Sequence, residues 1–194
     1  MDKRIEKTDK ALQETLLSLL KEKDIEEITV KEICEKAMTS RITFYAHYRD
    51  KYELLYNIIQ ILGERIYEES KKDKVQELNS FDLPHLFTKI TINVIELCQK
   101  QKEVITKIYY SEGIGKTIIL SSCNEMIKNL FEIISSDEKK INKNRMDFMF
   151  SFLIGGLYNF IIDLLKQEKE IDFNNLYNEF FFVYKFIVDR LYTN

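Results

Sequence analysis

Apolar residues recur at helical spacing along most of the chain. Ile5, Leu12, Leu16, Leu19 and Leu20, with Thr8, form one stripe and predict a first helix from about Lys3 to Lys21. The charged connection KEKDIEE follows, and Ile25 and Ile28 return from it to the core. Three short patterns come next. Val30, Ile33 and Ala37 mark one helix, and Thr29 with Glu32 reads as a capping box at its start. After a break at Met38, Thr39 and Ser40, Phe44 and Tyr48 stand four residues apart on one face of a second helix. A second capping box, Asp50 with Glu53, opens a long helix to about Lys72. Leu54, Leu55, Ile58, Ile59, Leu62, Ile66 and Tyr67 line one side of it.

Beyond a polar connection at 73–83, Pro84 suits the first turn of a helix carrying Leu86, Phe87, Ile90, Val94, Ile95 and Cys98. A short helix from about Glu103 to Tyr110, a break at 111–116 and a helix from Thr117 to Ile134 follow. Residues 135–143 are polar. The last two helices, Asn144 to about Gln167 and Asp172 to Tyr192, are the most apolar of all. This pattern predicts an all-α fold: an N-terminal three-helix helix-turn-helix domain at 1–52, then a helical bundle at 53–194. The boundary falls inside the long helix rather than in a linker.

Composition narrows the function. One proline and five glycines argue against an all-β fold with many turns. No window reaches about 18 uninterrupted apolar residues, so no membrane partner is expected. The start, MDKRIEKTDK, is charged and lacks the apolar stretch of a secretory signal, so a cytoplasmic chain is expected. Cys34, Cys98 and Cys123 are scattered and odd in number, which indicates neither a zinc site nor a disulfide framework. No cofactor is expected. Neither G-x-S-x-G nor H-E-x-x-H occurs, and the G-x-G at Gly113 and Gly115 lacks a third glycine and a preceding strand, so an enzyme is not indicated. The net charge is −3, and residues 1–52 hold eleven basic and eleven acidic side chains. Binding to double-stranded DNA must therefore rest on local placement of charge, such as Arg41, Arg49 and Lys51 around the second short helix.

The second helix of a helix-turn-helix can enter the major groove. At about 100° per residue, a face centred on Ala46 lies opposite Phe44 and Tyr48. Ile42, Thr43 and Ala46 then point at base edges, and Arg41, Tyr45 and His47 flank them toward the phosphates. The bland alternative, Tyr45 packed on Lys51 or on the first helix, carries less weight, because its flank position favours a phosphate hydrogen bond. Lys51, with the free N–H groups of the helix it opens, can hold one phosphate, and Thr29 can add a second contact beside its capping role.

The run SRITFYAHYRDKYELL, Ser40 to Leu55, resembles the signature of the TetR/AcrR family of bacterial one-component regulators. The resemblance extends from Ile5 to about Ile59. One departure is Met38, where the family usually has glycine in a left-handed turn, at a cost of roughly 1–2 kcal/mol. The resemblance implies a regulator, most commonly a repressor, that binds an inverted-repeat operator as a homodimer and answers to a small-molecule effector. The segment LIGGLYNFIIDLLKQ is similar to the C-terminal domain of a Firmicutes-type subgroup. An effector pocket so implied would draw its wall from Tyr56, Phe87, Asn93, Tyr109, Tyr110, Met126, Phe131 and Tyr158. The last two helices carry more apolar surface than one subunit can hide, which points to a dimer seam near Ser151, Gly155 and Phe181. The pair Gly155–Gly156 reads equally as a packing or bending point inside one subunit. The alternative function is a helix-turn-helix protein without a small-molecule pocket, controlled by a protein partner or organising DNA.

Overall fold

A computed structural model of the chain describes residues 3–71, 83–111, 114–122, 124–125, 143–167 and 171–192, and among them no strand occurs. The helices are α1 (Lys3–Glu22), α2 (Val30–Lys36), α3 (Arg41–His47), α4 (Lys51–Lys71), α5 (Leu83–Lys100) and α6 (Lys102–Tyr110). Then come α7 (115–122), α8 (Lys143–Lys166) and α9 (Phe173–Tyr192). The fold is all-α, as the periodicity predicts. Two candidate wall residues, Met126 and Phe131, lie outside the described residues.

The residues form two compact units: 1–62 with 101–122, and 63–100 with 123–194. In the first unit the leucine stripe of α1 does what its spacing predicts. Leu12, Leu16, Leu19 and Leu20 are fully buried, together with Ile25, Ile28, Ile33, Phe44, Leu54 and Leu55. Each such side chain contributes about 1.5–3 kcal/mol on leaving water. The same core takes in Val104 and Ile108 of α6 and Ile118 of α7. The Lys107 ammonium donates to the Lys21 carbonyl at 2.8 Å, satisfying one of the open acceptors at the end of α1. These packing units cut the chain differently from the functional division at 52/53. The spacing of Val104 and Ile108 says that they need an apolar partner. It does not say that the partner is the N-terminal core.

A close turn lets α7 reach that core. A Cβ on Gly115 would stand 2.7 Å from both the Ile108 carbonyl oxygen and Ser111 Oγ. Ser111 Oγ itself donates to the Ile108 carbonyl, so the space is already occupied by a bonded pair.

In the second unit α5 packs mainly on α9, and α8 touches both. Leu86 and Ile90 of α5 meet Ile66 of α4, and Ile162, Leu165, Ile187 and Val188 are buried from α8 and α9. Two pairs of polar side chains inside this unit are bonded to each other. Thr91 Oγ1 and the Tyr184 hydroxyl are 2.6 Å apart, and Asn93 donates to Ser70 Oγ at 2.9 Å. Outside the packing lie Phe148, Phe152 and Phe160 of α8 and Phe182, Val183 and Phe186 of α9, all exposed.

Gly115→Ala is expected to cost about 1–3 kcal/mol, because the added methyl must displace backbone rather than a flexible side-chain tip. Thermal unfolding checks this; an unchanged midpoint would mean that α7 does not approach α6 as closely as described.

Candidate nucleic-acid interface

Helices of seven residues are too short to be stable alone, so α2 and α3 depend on caps and on the core beneath them. Thr29 Oγ1 accepts from the Glu32 N–H at 3.2 Å and starts α2. The reciprocal half of that capping box is not made. The Glu32 carboxylate is taken by Lys23 at 2.7 Å, and that hydrogen bond holds its pKa below the ordinary value. Ser40 caps α3, its Oγ accepting from the Thr43 N–H at 3.0 Å. Ser40 stands in the break between the two short apolar patterns, and a serine just before a short helix is a recognisable cap signal. Asp50 Oδ1 accepts from the N–H groups of Tyr52 and Glu53 at 2.9 and 2.8 Å, and Glu53 reaches back to the Arg49 N–H. Between α2 and α3, Met38 stands at φ 51°, the left-handed turn that the family resemblance implies.

Phe44 is fully buried and Tyr48 nearly so, as their four-residue spacing requires. The Tyr48 hydroxyl donates to Asn57 Oδ1 at 3.2 Å, and Gln13 Nε2 donates to the same oxygen at 3.3 Å, which ties α1, the end of α3 and α4 together. Burial raises the Tyr48 phenol above its ordinary pKa.

The outward face of α3 consists of Arg41, Ile42, Tyr45 and Ala46. Ile42 is 84% exposed and Tyr45 58%. Two residues that the helical projection put on or beside this face make side-chain contacts within the protein. Thr43 is half-buried and its hydroxyl lies 2.8 Å from Ser40 Oγ. His47 Nδ1 lies 2.7 Å from Asp9 Oδ1 on α1, with 15% of its side chain exposed. The exposed arc is therefore centred between Tyr45 and Ile42, with Arg41 and Ala46 at its edges. Lys51 also differs from its expected freedom. Its ammonium donates to the carbonyls of Glu26 and Ile28 at 2.8 and 2.7 Å, which uses two of its three N–H groups. Burial lowers its pKa below the ordinary lysine value. The N–H groups of Tyr52 and Glu53 are occupied by Asp50, so the start of α4 offers a phosphate less than its position suggests.

The candidate effector residues fall in both units. Tyr56 packs on the first core; Tyr109 and Tyr110 form an edge-to-face pair, and Lys116 lies 5.2 Å over the Tyr109 ring. Phe87 is buried against Tyr184, Asn93 is bonded to Ser70, and Tyr158 is half-buried. An open groove of about 510 Å³ runs along Ala11, Thr15 and Ser18 of α1 to Met38, and none of the effector candidates lines it. Among the described residues no cluster of His, Cys, Asp or Glu is placed to hold a metal ion, and no helix is long and apolar enough to cross a membrane.

Residues 14–58 match the family described as bacterial regulatory proteins, tetR family. Over 59 residues the chain is 42% identical to YxbF of Bacillus subtilis (strain 168), an uncharacterized HTH-type transcriptional regulator; the match spans 30% of this chain and 16% of that protein's length. The fold is similar to the crystal structure of a TetR transcriptional regulator from Streptococcus agalactiae 2603V, with a TM-score of 0.61 and 20% identity over 94% of this chain and 96% of that one. It is also similar to the dihydroxyacetone kinase operon activator DhaS, with a TM-score of 0.60 and 13% identity over 96% and 98% of the two chains.

Met38→Gly is expected to stabilise the chain by about 0.5–1 kcal/mol: relief of roughly 1–2 kcal/mol of backbone strain, less the entropy that glycine adds to the unfolded state. Lys51→Ala is expected to destabilise it by about 1–3 kcal/mol, since two carbonyls lose a charged donor. Denaturant titration measures both. A destabilised Met38→Gly protein would show that the side chain contributes more than its turn costs.

Proposed function

We propose that this chain, a member of the TetR family of bacterial regulatory proteins, is a homodimeric regulator that sets α3 of each subunit into the major groove of one half of an inverted-repeat operator. The observation that carries this reading is the exposed arc of α3. An isoleucine 84% open to water at the start of a seven-residue helix, beside Ala46, is what thymine methyl groups would cover. Arg41 and Tyr45 then stand toward the phosphates. Thr29, the Thr43 methyl, His47 and the remaining N–H of Lys51 complete the contact set. By function the chain divides into a reader at 1–52 and a dimerisation and effector half at 53–194, joined through α4.

The seam between subunits is assigned to α8 and α9. Phe148, Ser151, Phe152, Gly155, Gly156 and Phe160 recur on one exposed stripe of α8, with nothing within 4 Å of a Cβ on Gly155. On α9 the exposed phenyl groups are Phe182 and Phe186, whereas Phe181 is half-buried against His85, ring centroids 4.2 Å apart. Phe181 thus supports the seam from beneath. A small, largely apolar effector adjusts DNA binding by favouring one arrangement of the readers. Repression is the assigned direction. The operon activator DhaS has a similar fold, so transcription from the operator with and without protein reads the sign.

Gel-shift titration against the DNA flanking the chain's own gene tests the reading, with specific retention of a fragment holding an inverted repeat as the expected result. Tyr45→Phe should weaken binding to all sequences alike and flatten the salt dependence, with unfolding unchanged, as for a lost phosphate contact. Phe182→Glu should yield monomers in sedimentation and lower operator affinity by about a hundredfold or more, because the half-sites no longer bind as a pair. Retention of no fragment, or a wild-type monomer, would overturn the proposal.

A further inference from the structure

The contact between His47 and Asp9 carries a consequence for the chemistry of DNA binding. His47 closes α3, and its Nδ1 lies 2.7 Å from Asp9 Oδ1 on α1. A carboxylate only accepts hydrogen bonds, so Nδ1 must be the protonated nitrogen. In the neutral ring Nε2 is then a bare lone pair. A phosphate oxygen is likewise only an acceptor, and the two repel. Moving the single proton to Nε2 would leave a lone pair on Nδ1 facing the carboxylate. His47 can therefore donate to a phosphate while keeping Asp9 only as the doubly protonated imidazolium.

We infer that Asp9 is a positioning residue that makes His47 bind DNA phosphate as an imidazolium, so that each subunit takes up one proton when it docks on the operator. The inference rests on the DNA-binding reading given above. The proton is taken from solvent and sits on Nε2, no bond other than N–H forms, and DNA binding must weaken as protons become scarce.

The other groups around the ring do not supply this coupling. On α1, Lys10 beside Asp9 is paired with Glu14 at 3.8 Å, and Gln13 is neutral. On α3, the Tyr48 ring lies 6.2 Å from His47, and burial holds its phenol above the ordinary range. At the start of α4, Glu53 accepts the Arg49 N–H, Asp50 caps the helix, and Asn57 is bonded to Tyr48. The carboxylate bonded to the imidazole is that of Asp9.

The test is the operator dissociation constant of the full chain from pH 5.5 to 8.5 at constant ionic strength, for wild type, Asp9→Asn and His47→Gln. Wild-type affinity should fall with rising pH, by about tenfold per pH unit for each proton taken up. Asp9→Asn should flatten the profile, because the asparagine amide can donate to Nδ1 and leave a neutral ring with Nε2–H facing the phosphate. His47→Gln should be flat at reduced affinity. Thermal unfolding of both variants separates this from a fold defect, which would lower affinity at every pH without changing the slope. A wild-type slope equal to that of His47→Gln, or an Asp9→Asn slope equal to wild type, overturns the inference while leaving the DNA-binding reading intact. Absence of operator binding at every pH overturns both.

Discussion

The N-terminal unit depends on one constraint: a seven-residue helix cannot hold itself together in water. Both α2 and α3 have this length. Their stability comes from Ile33, Cys34 and Phe44 beneath them, packed on the leucines of α1, on Leu54 and Leu55 of α4, and on Val104, Ile108 and Ile118. Truncating Phe44 would remove a buried aromatic worth about 3–5 kcal/mol, a large share of a domain's stability. Because the inward face is so fully engaged, the outward face of α3 is fixed as well. Rigid placement of a few side chains is what sequence-specific readout needs.

The same packing engages part of the hydrogen-bonding capacity of three candidate DNA contacts within the protein. Thr43 turns to Ser40, His47 to Asp9, and Lys51 to the carbonyls of Glu26 and Ile28. What stays outward is a narrow arc of Arg41, Ile42, Tyr45 and Ala46. Much of this was legible in the sequence. The spacing of Phe44 and Tyr48 gave the buried face, Thr29 and Asp50 gave two helix starts, and the family resemblance implied the left-handed turn at Met38. The partners of Thr43, His47 and Lys51 were not equally legible. Ser40 is three residues from Thr43 and could have been read as a cap. Asp9 is 38 residues from His47, and Glu26 is 25 from Lys51, so those pairings follow from tertiary packing rather than periodicity.

A similar limit applies to the rest of the chain. Apolar spacing identified α6 as amphipathic but assigned it to the C-terminal half, whereas Val104 and Ile108 join the core under the reader. The surplus of phenylalanine on α8 and α9 was legible, because no single partner helix could cover it. Which of two adjacent residues faces outward was not. Phe181 lies against His85 of α5 and Phe182 is 73% exposed, a distinction set by where α5 lies. Gly115 looked like an unremarkable break, and only the nearness of the Ile108 carbonyl gives its missing side chain a reason.

If α3 enters the major groove, its exposed arc reads base edges. Selection of binding sites from a random pool of DNA duplexes, with wild type and with Ile42→Ala, tests it most directly. Wild type should enrich an inverted repeat, and Ile42→Ala should lose discrimination at one position in each half-site, by about 1–3 kcal/mol per base pair, while the rest of the repeat is kept. An enriched sequence identical for both proteins, or no enriched sequence at all, would contradict it.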